Sequence, residues 1–398
     1  MSLFDALVFP PPPPDPDAEC RALVALSLVT GVGPGRIAAL VAAFGRADLA
    51  LHAPAARLAA VPSVGPELAR RIRGFDAWDD VEAQIRRAER VGARLVTRWS
   101  PSYPRLLAAL DDAPAFLWVR GEMAADALAV AVVGTRRATP YGLRAAEAFA
   151  HDLAAAGLTV VSGLAYGIDG AAHAAALDAS LAGAAGPTWA VLGSGVDRGY
   201  PARHGALADR IVASGGAVVS ELPMGAAPDA PNFPRRNRLV SGLCRALLVV
   251  EAHATGGALL TARLALDQNR EVYAVPGPFD AAASAGAHAL IARGEARLVT
   301  SPADLLADLL GTSAPAPASG GDGTAPVVPI LSRRPAAMPD DLDGAARTLW
   351  GTLSRDPRAL DDLLAASHLD ASTALVTLFD LELRGLVRQS AGRCFAFV

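Results

Sequence analysis

This 398-residue chain contains no lysine, so all 36 of its basic side chains are arginines. Every basic contact it makes therefore goes through a planar, permanently charged guanidinium. Cysteine is nearly missing too: Cys20, Cys244 and Cys394 are odd in number, far apart, and form no CxxC pair. That pattern excludes a disulfide framework and a cysteine-rich zinc site, and it fits a reducing compartment. No apolar stretch runs long without Gly, Ser or a charge, which argues against a membrane span. The N-terminus lacks a basic segment, carries Asp5 and runs into Pro10–Pro14, so it reads as an extended, disordered leader and not as a signal peptide. The expectation is a soluble, cytoplasmic protein.

About half of the residues (52%) are apolar, enough to bury two or three domain cores and to exclude global disorder. The net charge is −4, but it is unevenly spread. Residues 18–100 carry 12 Arg against 8 acids, a balance of +4. Residues 101–311 carry 16 against 19, and residues 340–398 carry 6 against 9, so each of these is −3. Bulk electrostatics cannot hold a polyanion on the central part. Locally clustered arginines would have to do so.

The pattern divides the chain into short helices over 18–100, alternating strands and helices over 101–311, an Ala/Pro/Gly/Ser-rich flexible linker over 312–340, and a small terminal domain over 341–398. Strands are predicted at Leu128–Val133, Leu158–Val161, Thr188–Leu192, Ala217–Ser220, Ala246–Glu251 and Glu271–Val275. Nearly continuous apolar runs of this length suit a parallel sheet covered by helices on both faces, an α/β architecture.

In the first segment, GVGPGRIAALVAAFG (Gly31–Gly45) and VPSVGPELARRIRGF (Val61–Phe75) each place a glycine turn directly before a helix. They look like tandem helix-hairpin-helix units, the second lacking one glycine. Such turns leave backbone N–H groups free at a helix N-terminus, where a phosphate can sit, with Arg36, Arg70, Arg71 and Arg73 close by. They serve equally well as packing modules, and both readings stand.

The central segment carries the specific signal. Gly-rich loops follow successive strands: AVVGTRRATPYG (Ala131–Gly142), VVSGLAYGIDGAAHAAAL (Val160–Leu177), AVLGSGVDRGYP (Ala190–Pro201) and VVEAHATGGALLTA (Val249–Ala262). NFPRRNRLVSGL (Asn232–Leu243) and YAVPGPF (Tyr273–Phe279) accompany them. In an open α/β sheet, ligands sit at the carboxyl ends of the strands, where loop amides and helix N-termini make donors suited to phosphate oxygens. No loop is a GxGxxG fingerprint or a P-loop. Arg136 and Arg137 in one loop, with Arg235, Arg236 and Arg238 around Asn237 in another, exceed what one mononucleotide needs and suit a backbone tracked along its length.

The ordered series Tyr103-Pro104, Gly134-Thr135-Arg136, Ser162-Gly163-x-Ala165-x-Gly167-Ile168-Asp169, Phe233-Pro234-x-Arg236-Asn237-Arg238 and Pro276-Gly277 resembles the DNA-processing protein A family over roughly residues 20–310. The resemblance implies an extended Rossmann-like central domain, with the helical segment as a helix-hairpin-helix (SAM-like) domain. It also implies binding of single-stranded DNA, loading of RecA recombinase onto it in natural transformation, single-strand-binding protein as a further partner, and a homodimer formed through the central domain. By the same resemblance Arg136, Ser162, Gly163, Arg236 and Asn237 carry over as DNA ligands. The full nucleic-acid-binding set is Gly134, Thr135, Arg136, Arg137, Ser162, Gly163, Gly167, Arg235, Arg236, Asn237, Arg238, Thr255, Gly256 and Gly257. No catalytic residue, metal ligand or cofactor is expected.

Plainer readings compete at several of these positions. Asp169 suits a cap for a helix starting at Gly170, and His173 suits a packed histidine. Ser162, Asp169 and His173 invite a hydrolase triad, but no GxSxG elbow exists. Glu221 and Glu251 at strand ends suit loop anchors that accept backbone N–H bonds. Arg136 and Arg236 suit either DNA contacts or ion pairs within the crevice. The alternative activity is a nucleotide-processing hydrolase of the lysine-decarboxylase-like type, whose PGGxGTxxE loop holds its acid. Here TGGALLTA leads on to Arg263 and Leu264, without that carboxylate. A DNA-bending role lacks the basic surface it would need.

Residues 343–398 read as three helices and a hairpin, LVRQ-SAGR-CFAFV, which resembles a winged helix-turn-helix. Leu360, Leu363 and Leu364 mark one apolar face, Leu375, Leu378 and Phe379 another, with Gly385 ending that helix. The −3 balance argues against nucleic-acid binding there and for a protein-contact or vestigial role.

Overall fold

The structure, a computed structural model, describes residues 15–181, 186–311, 342, 344–354, 357–384, 386–390 and 394–397. The proline leader, the linker at 312–340, Gly385 and the hairpin tip at 391–393 lie outside the described residues. Chain contacts separate two units, Met1–Ser319 and Gly320–Val398.

The first unit is built on one nine-stranded sheet. Its strands are β1 (Ala93–Thr97), β2 (Phe116–Gly121), β3 (Ala129–Val133), β4 (Thr159–Ser162), β5 (Thr188–Val191), β6 (Ala217–Ser220), β7 (Ala246–Val249), β8 (Glu271–Ala274) and β9 (Arg297–Leu298). The spatial order is β1-β2-β6-β5-β4-β3-β7-β8-β9. All six expected strands form, within two residues at their ends. They pair in parallel, for instance Val130 opposite Val160 on one side and opposite Ala246 on the other.

The sequence shows why this sheet is covered twice. Every residue of AVAVV in β3 is buried. Ala129, Ala131 and Val133 join Leu239, Val240, Ala258 and Ala262 in one core, while Val130 and Val132 join Phe149, Leu153 and Ala172 in another. Alternate side chains thus feed two opposite layers of helices. Helices Asn232–Gly242 and Gly257–Asp267 cover one face; Pro140–Ala155 and Ile168–Leu181 cover the other.

The sheet departs from the wholly parallel expectation at one edge. β1 lies inside the segment expected to be helical, and it pairs antiparallel with β2, which pairs antiparallel with β6. In β1, Ala93 and Leu95 pack into the core of the helical region and Val96 into the core on the opposite face, while Arg94 is exposed. Short helices precede it, and their core runs continuously into the sheet through Phe116, Trp118, Leu192 and Met224.

The two glycine turns of that helical region are fastened to each other. Arg36 Nε donates to the Ser63 carbonyl at 2.8 Å, its Nη1 to the Gly31 carbonyl at 2.6 Å, and Arg71 Nη1 to the Thr30 carbonyl at 3.4 Å. Two of the four arginines expected near a phosphate thus hold the turns together.

The second unit has helices Gly344–Thr352, Leu360–Ser367 and Ala371–Leu383, and strands β10 (Arg358–Ala359), β11 (Val387–Ser390) and β12 (Cys394–Phe397) in the order β10-β12-β11. This is a winged helix. Its last helix turns Ala374, Leu378 and Leu381 into the core, an i, i+4, i+7 stripe. Leu375 and Phe379, expected on the inner face, are exposed together with Val376.

Candidate functional site

The chain runs β3→β4→β5→β6 toward one edge of the sheet, then returns to β7, on the other side of β3, and continues outward to β8 and β9. Strand order therefore reverses between β3 and β7, and a crevice opens at the carboxyl ends of strands that diverge there. It measures about 510 Å³. Three loops and one helix start wall it: the loops after β3, β4 and β7, and the N-terminal part of helix Asn232–Gly242.

Of the expected residues, Gly134, Thr135, Arg136, Arg137, Gly163, Arg236, Asn237, Gly256 and Gly257 all line this crevice. Ser162, Gly167, Arg235, Arg238 and Thr255 do not. Ser162 is buried and donates its hydroxyl to the Val132 carbonyl at 2.6 Å. Gly167 supports the wall from behind: with φ +74°, its position leaves no room for a Cβ, which would lie 2.4 Å from the Thr135 carbonyl oxygen. Thr255 is exposed in the turn before helix Gly257–Asp267. Arg235 points to a second crevice of about 220 Å³, between Gly33 and Pro34 of the first glycine turn and Phe116 and Trp118 of β2.

The arginines fall into two sorts. Arg238 is 14% exposed, ion-paired with Glu221 and with Asp112, and donates to the Asp112 carbonyl at 3.0 Å. Glu221 thus anchors an arginine, not the backbone amides expected of it. Arg236 is 6% exposed, bonded through Nη1 to the Val191 carbonyl, and packed so closely on Gly163 that a Cβ there would meet its guanidinium. Arg136 and Arg137 are exposed and have no ion-pair partner among the described residues. The Arg136 guanidinium lies 5.0 Å from the centre of the Phe233 ring, a cation–π contact that orients it without neutralising it.

Beneath this rim the wall is held by buried polar groups. Asp169 does not cap its helix, which begins one residue earlier at Ile168. Its carboxylate accepts from the Gly163 and Ala165 amides, at 3.1 and 3.4 Å, and so fixes the loop after β4. Burial pushes the Asp169 carboxyl up, and the Arg236 guanidinium and those amides pull it back. Burial likewise pushes Arg236 down, opposed by Asp169. Glu251 accepts from the Thr139 amide at 3.0 Å and from the Thr139 hydroxyl, tying the loop after β3 to the end of β7 as expected.

His173 is fully buried and bonded through Nδ1 to the Thr188 hydroxyl at 2.7 Å, and that hydroxyl donates to the Val160 carbonyl. With Ser162 committed to Val132 and the His173 ring to Thr188, these side chains are tied into the sheet. Chemically the crevice offers an anion two unpaired guanidiniums, the start of helix Gly257–Asp267, and a floor of close-packed backbone. No group of three or more His, Cys, Asp or Glu able to hold a metal occurs among the described residues. Nor is any described helix long and apolar enough to cross a membrane. Phe233, inside a quoted motif but outside the expected set, is the residue missed; an aromatic among arginines at a strand end was the available signal.

The family model described as DNA recombination-mediator protein A matches residues 94–310, and one described as the DprA winged helix domain matches residues 332–393. The chain is 45% identical over 230 residues to Protein Smf of Escherichia coli, covering 58% of this chain and 60% of that one, so the match spans less than two thirds of that relative. It is 32% identical to Protein Smf of Synechocystis over 93% of this chain and 96% of that one. The X-ray structure of DNA processing protein A (DprA) from Streptococcus pneumoniae superposes with a TM-score of 0.63 at 31% identity, covering 73% of this chain and 97% of that one.

Proposed function

Since this chain belongs to the DNA recombination-mediator protein A family, we propose that its crevice grips the backbone of single-stranded DNA and that the protein is a non-catalytic recombination mediator. The observation that carries the reading is the contrast among arginines: Arg136 and Arg137 stand unpaired on the rim while Arg236 and Arg238 are consumed within the protein. An open crevice floored by backbone admits a flexible strand and has no need to read bases. Gly134, Thr135, Gly163, Asn237, Gly256 and Gly257 form the contact surface, and Ser162, Gly167 and Arg236 shape it. In this proposal the protein protects incoming single strands in the cytoplasm and loads RecA recombinase onto them during natural transformation, with single-strand-binding protein as a further partner.

The same proposal takes residues 18–100, 101–311 and 341–398 as its three modules, joined by the linker 312–340, and a homodimer as the working form. Helix Ala285–Ala292 turns Gly286, Ala287 and Leu290 inward, and the large apolar groups left exposed nearby in the chain include Phe279 in the loop after β8 and Leu298 of β9.

The test is a salt-dependent titration with labelled single-stranded and duplex oligonucleotides. Arg136→Ala is expected to weaken single-strand binding equally for all sequences and to flatten the slope of log K against log salt by about 0.7 to 1. An unchanged slope in a folded variant removes Arg136 as a phosphate ligand.

A further inference from the structure

Tyrosine is scarce here, with five in the chain, and three of the five are taken up by the fold. Tyr103 and Tyr273 are fully buried, and Tyr141 is half-buried with its hydroxyl bonded to the Pro276 carbonyl. The other two, Tyr166 and Tyr200, are 43% and 41% exposed, and both sit at the carboxyl end of the sheet, in the loops after β4 and β5. Exposure of one ring alone signals nothing; two rings at the same end of the sheet, beside the crevice, do.

Their neighbours show what the pair signals. Tyr200 lies 5.8 Å from Phe233, ring centre to ring centre, at 50°. Phe233 carries the Arg136 guanidinium on its face, so charge and ring alternate along one side of the crevice. Tyr166 follows Ala165 of the crevice wall and stands edge-on to His204 at 5.1 Å. Its loop is rigidly set. Leu164 is held in the left-handed region at φ +58°, buried, with its carbonyl bonded to His204 Nδ1 at 2.8 Å, and Gly167 beyond is jammed against Thr135. A residue other than glycine is kept in that region only where its surroundings over-determine it.

We infer that Tyr166 and Tyr200 are base-stacking platforms flanking the phosphate grip, so that a single strand is held by its bases as well as by its backbone, without regard to sequence. This rests on the single-strand reading of the crevice and extends it from phosphate to base. Stacking needs an unpaired face, which duplex DNA does not offer, so the rings favour single strands where charge alone does not. Each base stacked on an aromatic ring contributes about 1–3 kcal/mol by alanine substitution, a loss of roughly five- to a hundredfold in affinity.

The experiment compares full-length protein binding to labelled oligothymidylate and to an abasic oligomer of the same length, over a salt series. The intact protein is expected to bind oligothymidylate at least about tenfold more tightly. Tyr166→Ala with Tyr200→Ala is expected to bring oligothymidylate down to the abasic level while leaving abasic binding and the salt slope unchanged. Tyr166→Phe with Tyr200→Phe keeps the rings and the affinity, and a Leu pair, as apolar but unable to stack, behaves like the Ala pair. Equal binding of both oligomers by intact protein, or an Ala pair that binds like the intact protein, overturns the platforms and leaves the phosphate grip standing. No salt-dependent binding of either oligomer by intact protein overturns the single-strand reading and the platforms with it.

Discussion

The central segment 101–311 and the terminal segment 340–398 have the same net charge of −3, yet they present opposite surfaces. In the first, four acids at strand ends or in the loops and helix start that follow them are spent inward: Glu221 on Arg238, Asp169 on loop amides, Glu251 on Thr139, Asp197 on Arg87. That leaves Arg136 and Arg137 unpaired at one end of the sheet. In the winged helix the helix Ala371–Leu383 contains no arginine at all; it exposes Leu375, Val376 and Phe379 and keeps Asp380 beside Arg384 at 4.0 Å. A polyanion responds to the field where it docks, not to the sum over a domain. Net charge alone would have rejected both regions.

Four outcomes would sharpen or break that contrast. The largest is expected at Arg236. Arg236→Ala removes the charge that offsets the burial of Asp169 and the side chain packed on Gly163, and should destabilise the first unit by about 3 kcal/mol. Urea unfolding of the full chain would show it, with the winged-helix transition unmoved as an internal reference. A loss of DNA binding with stability unchanged would instead place Arg236 with Arg136, as a ligand.

His173 comes next. Burial first, then His204 and Arg236, push its imidazole down to about 3 from an ordinary 6.5. The folded state therefore refuses a proton that the unfolded chain accepts below about pH 6.5. Its contribution is whole above that value and is lost as pH falls toward 3, amounting to about 2 kcal/mol by pH 5. His173→Gln, which keeps a donor for Thr188, should flatten the acid side of the stability curve of the first unit alone; an identical acid slope in the variant rules His173 out as its source.

Removing residues 320–398 is expected to change single-strand affinity by less than about threefold, since a −3 module repels phosphates weakly and the repulsion is screened by salt. A large drop, with the sheet still folded, would mean that the winged helix touches DNA. Smallest of all should be Arg384→Ala with Arg388→Ala, a shift of under about twofold in the same titration, because these are rim charges on an acidic surface. A tenfold loss would mean that the end of the last helix and the wing strand β11 touch DNA after all.

The central sheet was legible because its strands are buried on both faces and so are written as short runs of Val, Ala and Leu. β1, β2 and β9 were not: each is at or near an edge, and β9 is two residues long. The crevice loops were legible as glycines at strand ends. The division of labour among the arginines was not. Arg238 is neutralised by Glu221, 17 residues away, and by Asp112, 126 away, and no local pattern announces such partners. The inner stripe of the last helix lies about one residue round from the expected one, with Ala374, Leu378 and Leu381 inward, because the run Ala374–Phe379 is apolar at nearly every position and offers more than one helical face.

The floor of the crevice is main chain brought close by Gly134 and Gly163, at whose Cβ positions Ile168, the Glu251 carbonyl and the Arg236 guanidinium already stand. A surface made this way has no side chains to lose. At these two positions only the addition of atoms can spoil it, so the harmful change there is glycine replaced by something larger, whereas the side chains that back the surface, Asp169 and Arg236, are the ones that truncation damages. Drift in the rest of the loop can then retune the rim, exchanging one ring or one guanidinium for another, while the surface beneath keeps its shape.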